Sequence, residues 1–402
     1  MTRRAFALSV ALQTVRAQDW KLWGGPARDF RFPATLSGKW PAAGPKQAWS
    51  RPLGSDGHSG VAIEGGTLYT MYRNGSREVV TALAAKDGKT IWEHEYAVNF
   101  RNPDPNIGLG PHAMPQIVGD RVFTAGSSGI VHALDKRSGK VLWSHELVRK
   151  FEGTRLPWGY SCHGLPYRDN IIYSVGGSKA LIALRQHDGS VDWARHQYKN
   201  AHSSPLLIQI AGLEQLVILH AAGVLAVNPI NGDEQWRHAH STDWGLAVAT
   251  PVWNGSDLLL ISSAYGTGSR VLRLSRDSNT VRASEVWKDA AIQIHFGTAA
   301  SQGDWLIAAS GHHTARVIMF DWKTGRVAWR SSDFAKAHVL DVGGKLLILD
   351  EDGLLALATA TEKGLTVHAK AQVLRNRSWT PPTVSGNRIY LRDQRSLVAL
   401  EG

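Results

Sequence analysis

"GIVHALDKRSGKVLWSHEL" occupies residues 129–147, and two degraded copies of it lie about fifty residues away, one on either side. The upstream copy is "VVTALAAKDGKTIWEHEY" (79–96), and the downstream copy is "ALIALRQHDGSVDWARHQY" (180–198). Each copy has the pattern of a strand with alternating side chains, a tight turn that ends in glycine, and a second strand containing tryptophan. The chain therefore repeats one β-hairpin.

The copies can be counted from two marks, a small or apolar residue in the first strand and a tryptophan in the second. Five copies separate the two marks by ten positions: Ala82 and Trp92, Ala133 and Trp143, Ala183 and Trp193, Ala226 and Trp236, Met319 and Trp329. A sixth copy pairs Arg273 with Trp287, and a seventh pairs Ala356 with Thr366 in the tryptophan position. The eighth copy reaches Ala399 and ends, and its missing strand is found near Trp49.

Two further short strands precede each hairpin, so one unit contains four strands. Eight four-stranded units of 40 to 50 residues predict an all-β fold, an eight-bladed β-propeller with antiparallel blades. We expect residues 18–402 to form this single domain, with 46–54 completing the blade formed by 379–402. Such closure removes the exposed sheet edges that otherwise promote aggregation. The repeated tryptophans are expected to wedge between neighbouring sheets.

The phrase Ala-Leu-Asp-x-x-Ser-Gly-Lys-x-x-Trp, from Ala133 to Trp143, resembles the pyrroloquinoline quinone (PQQ) repeat. Proteins with this repeat include quinoprotein alcohol dehydrogenases and BamB, the propeller of outer-membrane barrel assembly. The opening "WGGPARD" (23–29) is similar to the start of many exported members. The resemblance implies the eight-bladed fold, and it implies either an enzyme or a pure binding scaffold.

The enzymes of this family hold PQQ with Ca²⁺ on the propeller axis, over a tryptophan floor, under a lid of two neighbouring cysteines and beside an aspartate base. Cys162 is the single cysteine of this chain, so that lid cannot form. The interpretation favoured is therefore a ligand-binding or protein-interaction scaffold. A PQQ-dependent alcohol or sugar dehydrogenase of reduced form is the alternative.

The N-terminus predicts export. Residues 1–18, "MTRRAFALSVALQTVRAQ", combine two arginines, a short apolar stretch and a Val-x-Ala site, which is typical of a signal peptide over 1–17. The paired arginines resemble a twin-arginine signal, so a periplasmic or secreted location is expected. The alternative is a frayed N-terminal arm. No apolar run reaches the length of a transmembrane anchor.

Charge limits the choice of partner. The 402 residues carry a formal net charge of +11, but the basic residues are scattered among acids. Nucleic-acid binding requires a concentrated basic stripe, so a nucleic-acid partner is not expected. A small-molecule ligand or an envelope protein is the expected partner, and a monomer is the expected state.

Alignment of the first strands brings out a constellation of histidines. His58, His112, His163 and His202 occupy one position in four consecutive blades. Val248, Phe296, Lys336 and Trp379 occupy it in the later blades, and His295 lies one residue earlier. Because first strands line the channel of a propeller, we expect a half ring of imidazoles at one mouth, and we expect it to be sensitive to pH.

Three interpretations of the half ring remain open. In the first, each histidine caps the entry to its strand. In the second, two or three of the four bind a metal through neutral imidazoles: His58, His112, His163 and His202. In the third, the histidines hold an anionic ligand such as a quinone carboxylate, together with Arg155, Lys336 or Arg377.

Aromatic side chains are concentrated in the same connecting loops. Trp158, Tyr160, Trp244 and Trp379 lie outside the repeated tryptophan positions, so they either form a stacking surface or pack the corners between blades. If the chain is an enzyme, Trp244 or Trp379 would stack on the quinone and Asp243 would be the base. A lone loop aspartate is otherwise a turn former.

Overall fold

The computed structural model describes residues 19–34, 36, 40–41, 44–54, 57–104 and 107–402. The predicted signal peptide, 1–17, lies outside these residues and stays a prediction. Within the described part of the chain no helix has the length and apolar character needed to cross a membrane.

Eight sheets, one for each blade, follow one another along the chain. Two short strands come before the first blade, β1 (Arg31–Phe32) and β2 (Gln47–Pro52). Blade 1 contains β3 (Ala62–Glu64), β4 (Thr67–Asn74), β5 (Arg77–Ala84) and β6 (Thr90–Ala97). Blade 2 contains β7 (Gln116–Val118), β8 (Arg121–Ala125), β9 (Ile130–Asp135) and β10 (Val141–Glu146), and the one-turn helix α1 (Leu147–Lys150) follows it.

The next three blades have the same meander of antiparallel strands. Blade 3 contains β11 (Leu165–Tyr167), β12 (Asn170–Ser174), β13 (Leu181–Arg185) and β14 (Val191–Arg195). Blade 4 contains β15 (Leu206–Ile210), β16 (Leu213–His220), β17 (Gly223–Val227) and β18 (Glu234–Ala239). Blade 5 contains β19 (Val252–Trp253), β20 (Leu258–Ser263), β21 (Gly268–Asp277) and β22 (Thr280–Asp289).

The last three blades complete the ring. Blade 6 contains β23 (Ala299–Gln302), β24 (Trp305–Ser310), β25 (Arg316–Asp321) and β26 (Val327–Ser331). Blade 7 contains β27 (Ala337–Val342), β28 (Lys345–Asp350), β29 (Leu354–Thr361) and β30 (Gly364–Gln372). Blade 8 contains β31 (Thr383–Ser385), β32 (Arg388–Arg392) and β33 (Ser396–Glu401).

The ring closes where the two ends of the chain meet. Strand β2 pairs antiparallel with β33 and supplies the outer strand of blade 8, with Trp49 opposite Ala399. The prediction of an eight-bladed propeller closed by an N-terminal strand is therefore confirmed.

The strand register corrects two of the eight hairpins. Trp287 lies opposite Val271, two residues before the predicted Arg273. In blade 7 the partners are Leu357 and Ala369, so Ala356 and Thr366 were the wrong pair. Both errors have one cause. In these two hairpins several paired residues lie between the turn and the bulge that precedes the tryptophan position, so a fixed spacing from the turn misplaces the partner.

At five of the eight seams between blades, a tryptophan packs on the turn glycine of the next blade. The Trp92 indole covers Gly139, and a Cβ added to Gly139 would lie 2.4 Å from its ring. The indole Nε1 donates to the carbonyl of Lys136 in the same turn, at 3.0 Å. The packing and the hydrogen bond recur together at three further seams, Trp49 on Gly88, Trp143 on Gly189 and Trp287 on Gly325, and Trp193 packs on Gly232 in the same way.

The N-terminal residues 20–32, which we call the plug segment, cross the central channel. Trp20 bridges to Ile63 on the inner strand of blade 1, and the carbonyl of Lys21 accepts from the amide of Ile117 in blade 2. Strand β1 pairs in parallel with β27, the inner strand of blade 7. Because these partners surround the channel, the plug segment closes the end at which the first strands finish.

We predict that Gly139→Ala will destabilise the protein more than Gly119→Ala. Both glycines have positive φ, 71° and 57°, so both substitutions carry the same left-handed backbone penalty. Only Gly139 is covered by an indole, whereas a Cβ at Gly119 meets nothing within 4 Å. The free energy of unfolding, measured in urea, should be lower in Gly139→Ala by about 1–3 kcal/mol relative to the control. Equal losses would show that the indole contact does not stabilise the seam.

Candidate functional site

A cavity of about 650 Å³ opens at the end of the channel opposite the plug segment. The loops that lead into the first strands form most of its wall, and Trp23 of the plug segment also lines it. Ten of the residues singled out in the sequence line this cavity: His58, His112, Trp158, His163, His202, Trp244, His295, Lys336, Arg377 and Trp379.

Three other residues that we singled out lie elsewhere. Arg155 and Tyr160 line a second cleft, of about 1080 Å³, and the buried Tyr160 hydroxyl donates to the carbonyl of Ser174 at 2.9 Å. Gly159, with φ of 91°, separates Trp158 from Tyr160 in the loop that enters blade 3. Asp243 is exposed and does not line the cavity.

The imidazoles of the half ring pack on one another and on indoles. The rings of His58 and His112 are stacked, with centroids 5.7 Å apart. Trp379 lies 5.0 Å from His58, and Trp23 lies 4.2 Å from His163. The aromatic contacts fix the orientation of the rings around the wall.

One nitrogen of each of three rings is held by the loops. Nε2 of His58 bonds to the carbonyl of Ile107 (3.2 Å), and Nδ1 of His163 accepts from the amide of Met114 (2.7 Å). Nδ1 of His202 bonds to the Ser161 hydroxyl at 3.1 Å. These bonds support the capping interpretation for one nitrogen in each ring.

In several of these rings one nitrogen is unpaired. Nδ1 of His58, Nε2 of His112 and Nε2 of His202 have no hydrogen-bond partner within the described part of the chain. An unpaired buried polar atom costs about 1–3 kcal/mol. All three atoms are buried, so a ligand in the cavity reaches them only if the rings turn.

Burial keeps the half ring neutral. It lowers the pKa of His112 and His202 to about 4 and the pKa of His163 to about 3, because the charged form loses its hydration. The pKa of His58 is also well below its ordinary value, from burial and then from the neighbouring His112. The half ring therefore does not titrate near pH 7, in contrast to the expectation from unperturbed histidines.

The opposite wall contains a second aromatic group. A 2.7 Å hydrogen bond joins the Tyr265 hydroxyl to Nε2 of His295, and His312 contacts both rings. Tyr265 has φ of 62°, a left-handed conformation that is strained for a bulky residue. Burial lowers the pKa of His295 to about 3, and the nearby Lys336 lowers it further. The buried His295 of this wall is therefore uncharged, like the half ring.

The charged groups of the cavity balance. Lys336 and Arg377 supply two positive charges, and Asp104 and Glu351 supply two negative charges. Lys336 lies over the Phe296 ring and Arg377 over the Trp379 ring, at 5.8 and 4.9 Å. With neutral imidazoles the formal charge of the lining is 2 − 2 = 0.

The donor set does not fit a metal centre or the calcium-quinone pair of the enzymes. No three His, Cys, Asp or Glu side chains among the residues that the structure describes are placed to hold a metal ion. Calcium prefers six to eight oxygen ligands, whereas only Asp104 and Glu351 bring carboxylates to this lining. The structure gathers His58, His112, His163 and His202 at one cavity but not around one point.

Several lining residues were missed in the sequence. They are Trp23, Asp104, Ser161, Ser204, Tyr265, His312, His338 and Glu351. Tyr265 and His312 lie in loops between the second and third strands, which open on the same face as the loops entering the first strands. The pair His312–His313 stands out in the sequence, but it lies outside the strand-entry position at which the blades align.

Comparison with known proteins places this fold in a family. A family model described as outer membrane protein assembly factor BamB matches residues 38–161 and 76–331, more than half of the chain. BamB of Yersinia pestis is 24% identical over 306 residues, which are 70% of this chain and 72% of that protein. The chain therefore belongs to the PQQ-repeat propeller family that includes BamB.

Two solved structures share the fold at low sequence identity. BamB from Moraxella catarrhalis superposes with a TM-score of 0.64 at 16% identity, covering 89% of this chain and 97% of that one. Quinohemoprotein alcohol dehydrogenase from Comamonas testosteroni superposes with a TM-score of 0.65 at 12% identity, covering 96% and 80%. The likeness to both a scaffold and an enzyme shows that the fold alone does not decide activity.

We predict that stability falls as the pH is lowered from 6.5 towards 4. Because the folded-state pKa of His163 lies below its ordinary 6.5, unfolding takes up a proton in this window, and the stabilisation present above pH 6.5 is lost. His163→Gln should remove about 2 kcal/mol of the difference in unfolding free energy between pH 7 and pH 5. Urea titrations at both pH values measure it. An unchanged difference would mean that His163 is charged in the folded protein at pH 5.

Proposed function

We propose that this chain is an exported binding scaffold of the PQQ-repeat family whose recognition site is the cavity above the plug segment. One observation carries the proposal: a channel closed at one end has become a dead-end pocket lined by aromatic and hydrogen-bonding side chains. A concave pocket of this size with a few converging polar groups is the usual form of a ligand site.

An envelope protein is the partner that the family relationship supports. Relatives of this chain are named as outer membrane protein assembly factors, which agrees with the export expected from residues 1–17. Trp244, at the rim of the cavity, leaves 71% of its surface exposed. An exposed tryptophan beside a pocket is typical of a recognition surface, so the partner would reach the cavity past Trp244.

A PQQ-dependent dehydrogenase of reduced form is the second candidate, supported by the likeness to quinohemoprotein alcohol dehydrogenase. Lys336 and Arg377 are the cations that would hold quinone carboxylates, and Trp379 is the indole beside them. Bound PQQ would supply an electron acceptor for alcohol oxidation. An absorbance titration tests this candidate: saturable binding with alcohol-dependent bleaching would support it, and a linear response would remove it.

We predict that Val248→Trp abolishes binding at the cavity. Val248 lines the cavity, so an indole at this position would fill space that a ligand needs. The protein should be purified from its native compartment, and native mass spectrometry should find a small molecule or partner on the wild type and none on Val248→Trp.

The matched control is Val191→Trp. Val191 is 43% exposed on blade 3 and lies outside the cavity lining, so this variant should retain the bound species. Equal occupancy in both variants would overturn the proposal that the cavity is the site.

A further inference from the structure

We infer that the cavity takes an uncharged, hydroxyl-rich ring compound, a neutral saccharide. The inference rests on the proposed function, because it names the class of ligand for the same site. Three properties of the lining carry it: its charge balance, the hydrogen-bonding character of its imidazoles, and the distribution of its aromatic faces.

The charge balance argues against a strongly anionic ligand. The two cations, Lys336 and Arg377, share the cavity with Asp104 and Glu351. Nε1 of Trp379 donates to the Glu351 carboxylate at 2.8 Å, so this negative charge is fixed beside the cations. A quinone that carries several carboxylates would place excess negative charge next to two carboxylates, at a cost that a neutral ligand avoids.

The imidazoles match hydroxyl groups in particular. A neutral imidazole has one donor and one acceptor nitrogen, and a hydroxyl group can donate and accept at once. His58 and His202 each use one nitrogen on the loops, and the other has no partner within the described residues. Both unpaired nitrogens are buried behind the cavity surface, so a small turn of either ring would bring one to a ligand hydroxyl, whereas a purely apolar ligand would leave them unpaired.

The aromatic side chains are placed to hold the faces of rings. Trp23 forms part of the floor, Trp158 and Trp379 belong to the wall, and Trp244 stands at the rim. Trp244, which is 71% exposed, offers its indole face to the C–H groups of a pyranose ring, whereas Trp23 packs on His163 and Trp379 lies under Arg377. Tyr265 adds another ring to the lining, from a left-handed turn with φ of 62°.

The test uses the purified protein and named probes. Tryptophan fluorescence and calorimetry should follow titration with cellobiose, maltotriose, lactose and N,N′-diacetylchitobiose, which are neutral, and with glucuronate and PQQ, which are anionic. We expect saturable binding of at least one neutral saccharide at one site, and weaker or no binding of the two anions.

Three variants test whether the saccharide binds at the cavity lining. Trp244→Ala should weaken saccharide binding about tenfold by removing a stacking face, and it should not unfold the protein because Trp244 is 71% exposed. His202→Phe keeps a ring but removes both nitrogens, so it should weaken saccharide binding by a similar factor. Ile230→Ala changes an exposed residue outside the cavity and should leave the affinity unchanged.

The outcomes separate this inference from the proposed function. If PQQ or glucuronate binds and no neutral saccharide does, the inference is wrong and the cavity remains a binding site. If a saccharide binds equally to wild type and to Trp244→Ala and His202→Phe, the inference is also wrong, because the ligand lies elsewhere. If no probe binds and Val248→Trp retains the native partner, both the inference and the proposed function fail.

Discussion

The packing of a tryptophan from one blade on the turn of the next is the interaction on which the rest of the structure depends. A blade buries little on its own, and stability comes from burying each sheet against its neighbours. The indole of Trp92 makes two contacts with the next blade: it covers Gly139, and it donates to the carbonyl of Lys136. Glycine is required beneath the ring, since a Cβ would occupy the space of the indole. Blade 7 lacks the tryptophan and has Ala369, and there the N-terminal segment lies so close that a Cβ on Gly44 would meet Ala371 at 2.3 Å.

The plug segment decides what kind of site this propeller can have. An open channel would let solvent reach the inner strands from both ends, whereas residues 20–32 fill one end with buried aromatic side chains such as Trp20, Phe30 and Phe32. Trp23 in the same segment donates to the Thr250 hydroxyl of blade 5 and stacks on His163 of blade 3. The segment therefore joins distant blades and also supplies the floor of the cavity. The same N-terminal residues therefore hold the fold together and line the candidate site.

Burial changes the chemistry of the histidines. In water an imidazole titrates near neutrality, but the rings of the half ring are enclosed by loops and by each other, and their pKa values fall to about 3 or 4. They are therefore hydrogen-bonding groups rather than switches. Among the described residues, Asp104 and Glu351 are the carboxylates of the lining, whereas calcium takes six to eight oxygen ligands.

The sequence by itself determined the number of blades, the closure by a strand near Trp49 and the position of the histidines on one face. It could do so because aligned repeats place equivalent residues at the same position of each blade. It also found about half of the cavity lining, since residues at one position of every blade must meet at the axis. It could not place the plug segment, whose contacts with Ile63 and Ile117 follow no repeat. Nor could it distinguish Trp158, in the cavity, from Tyr160, in the neighbouring cleft. Those outcomes depend on loop conformation and on the desolvation that enclosure imposes, and only the tertiary structure brings the surrounding groups together to decide them.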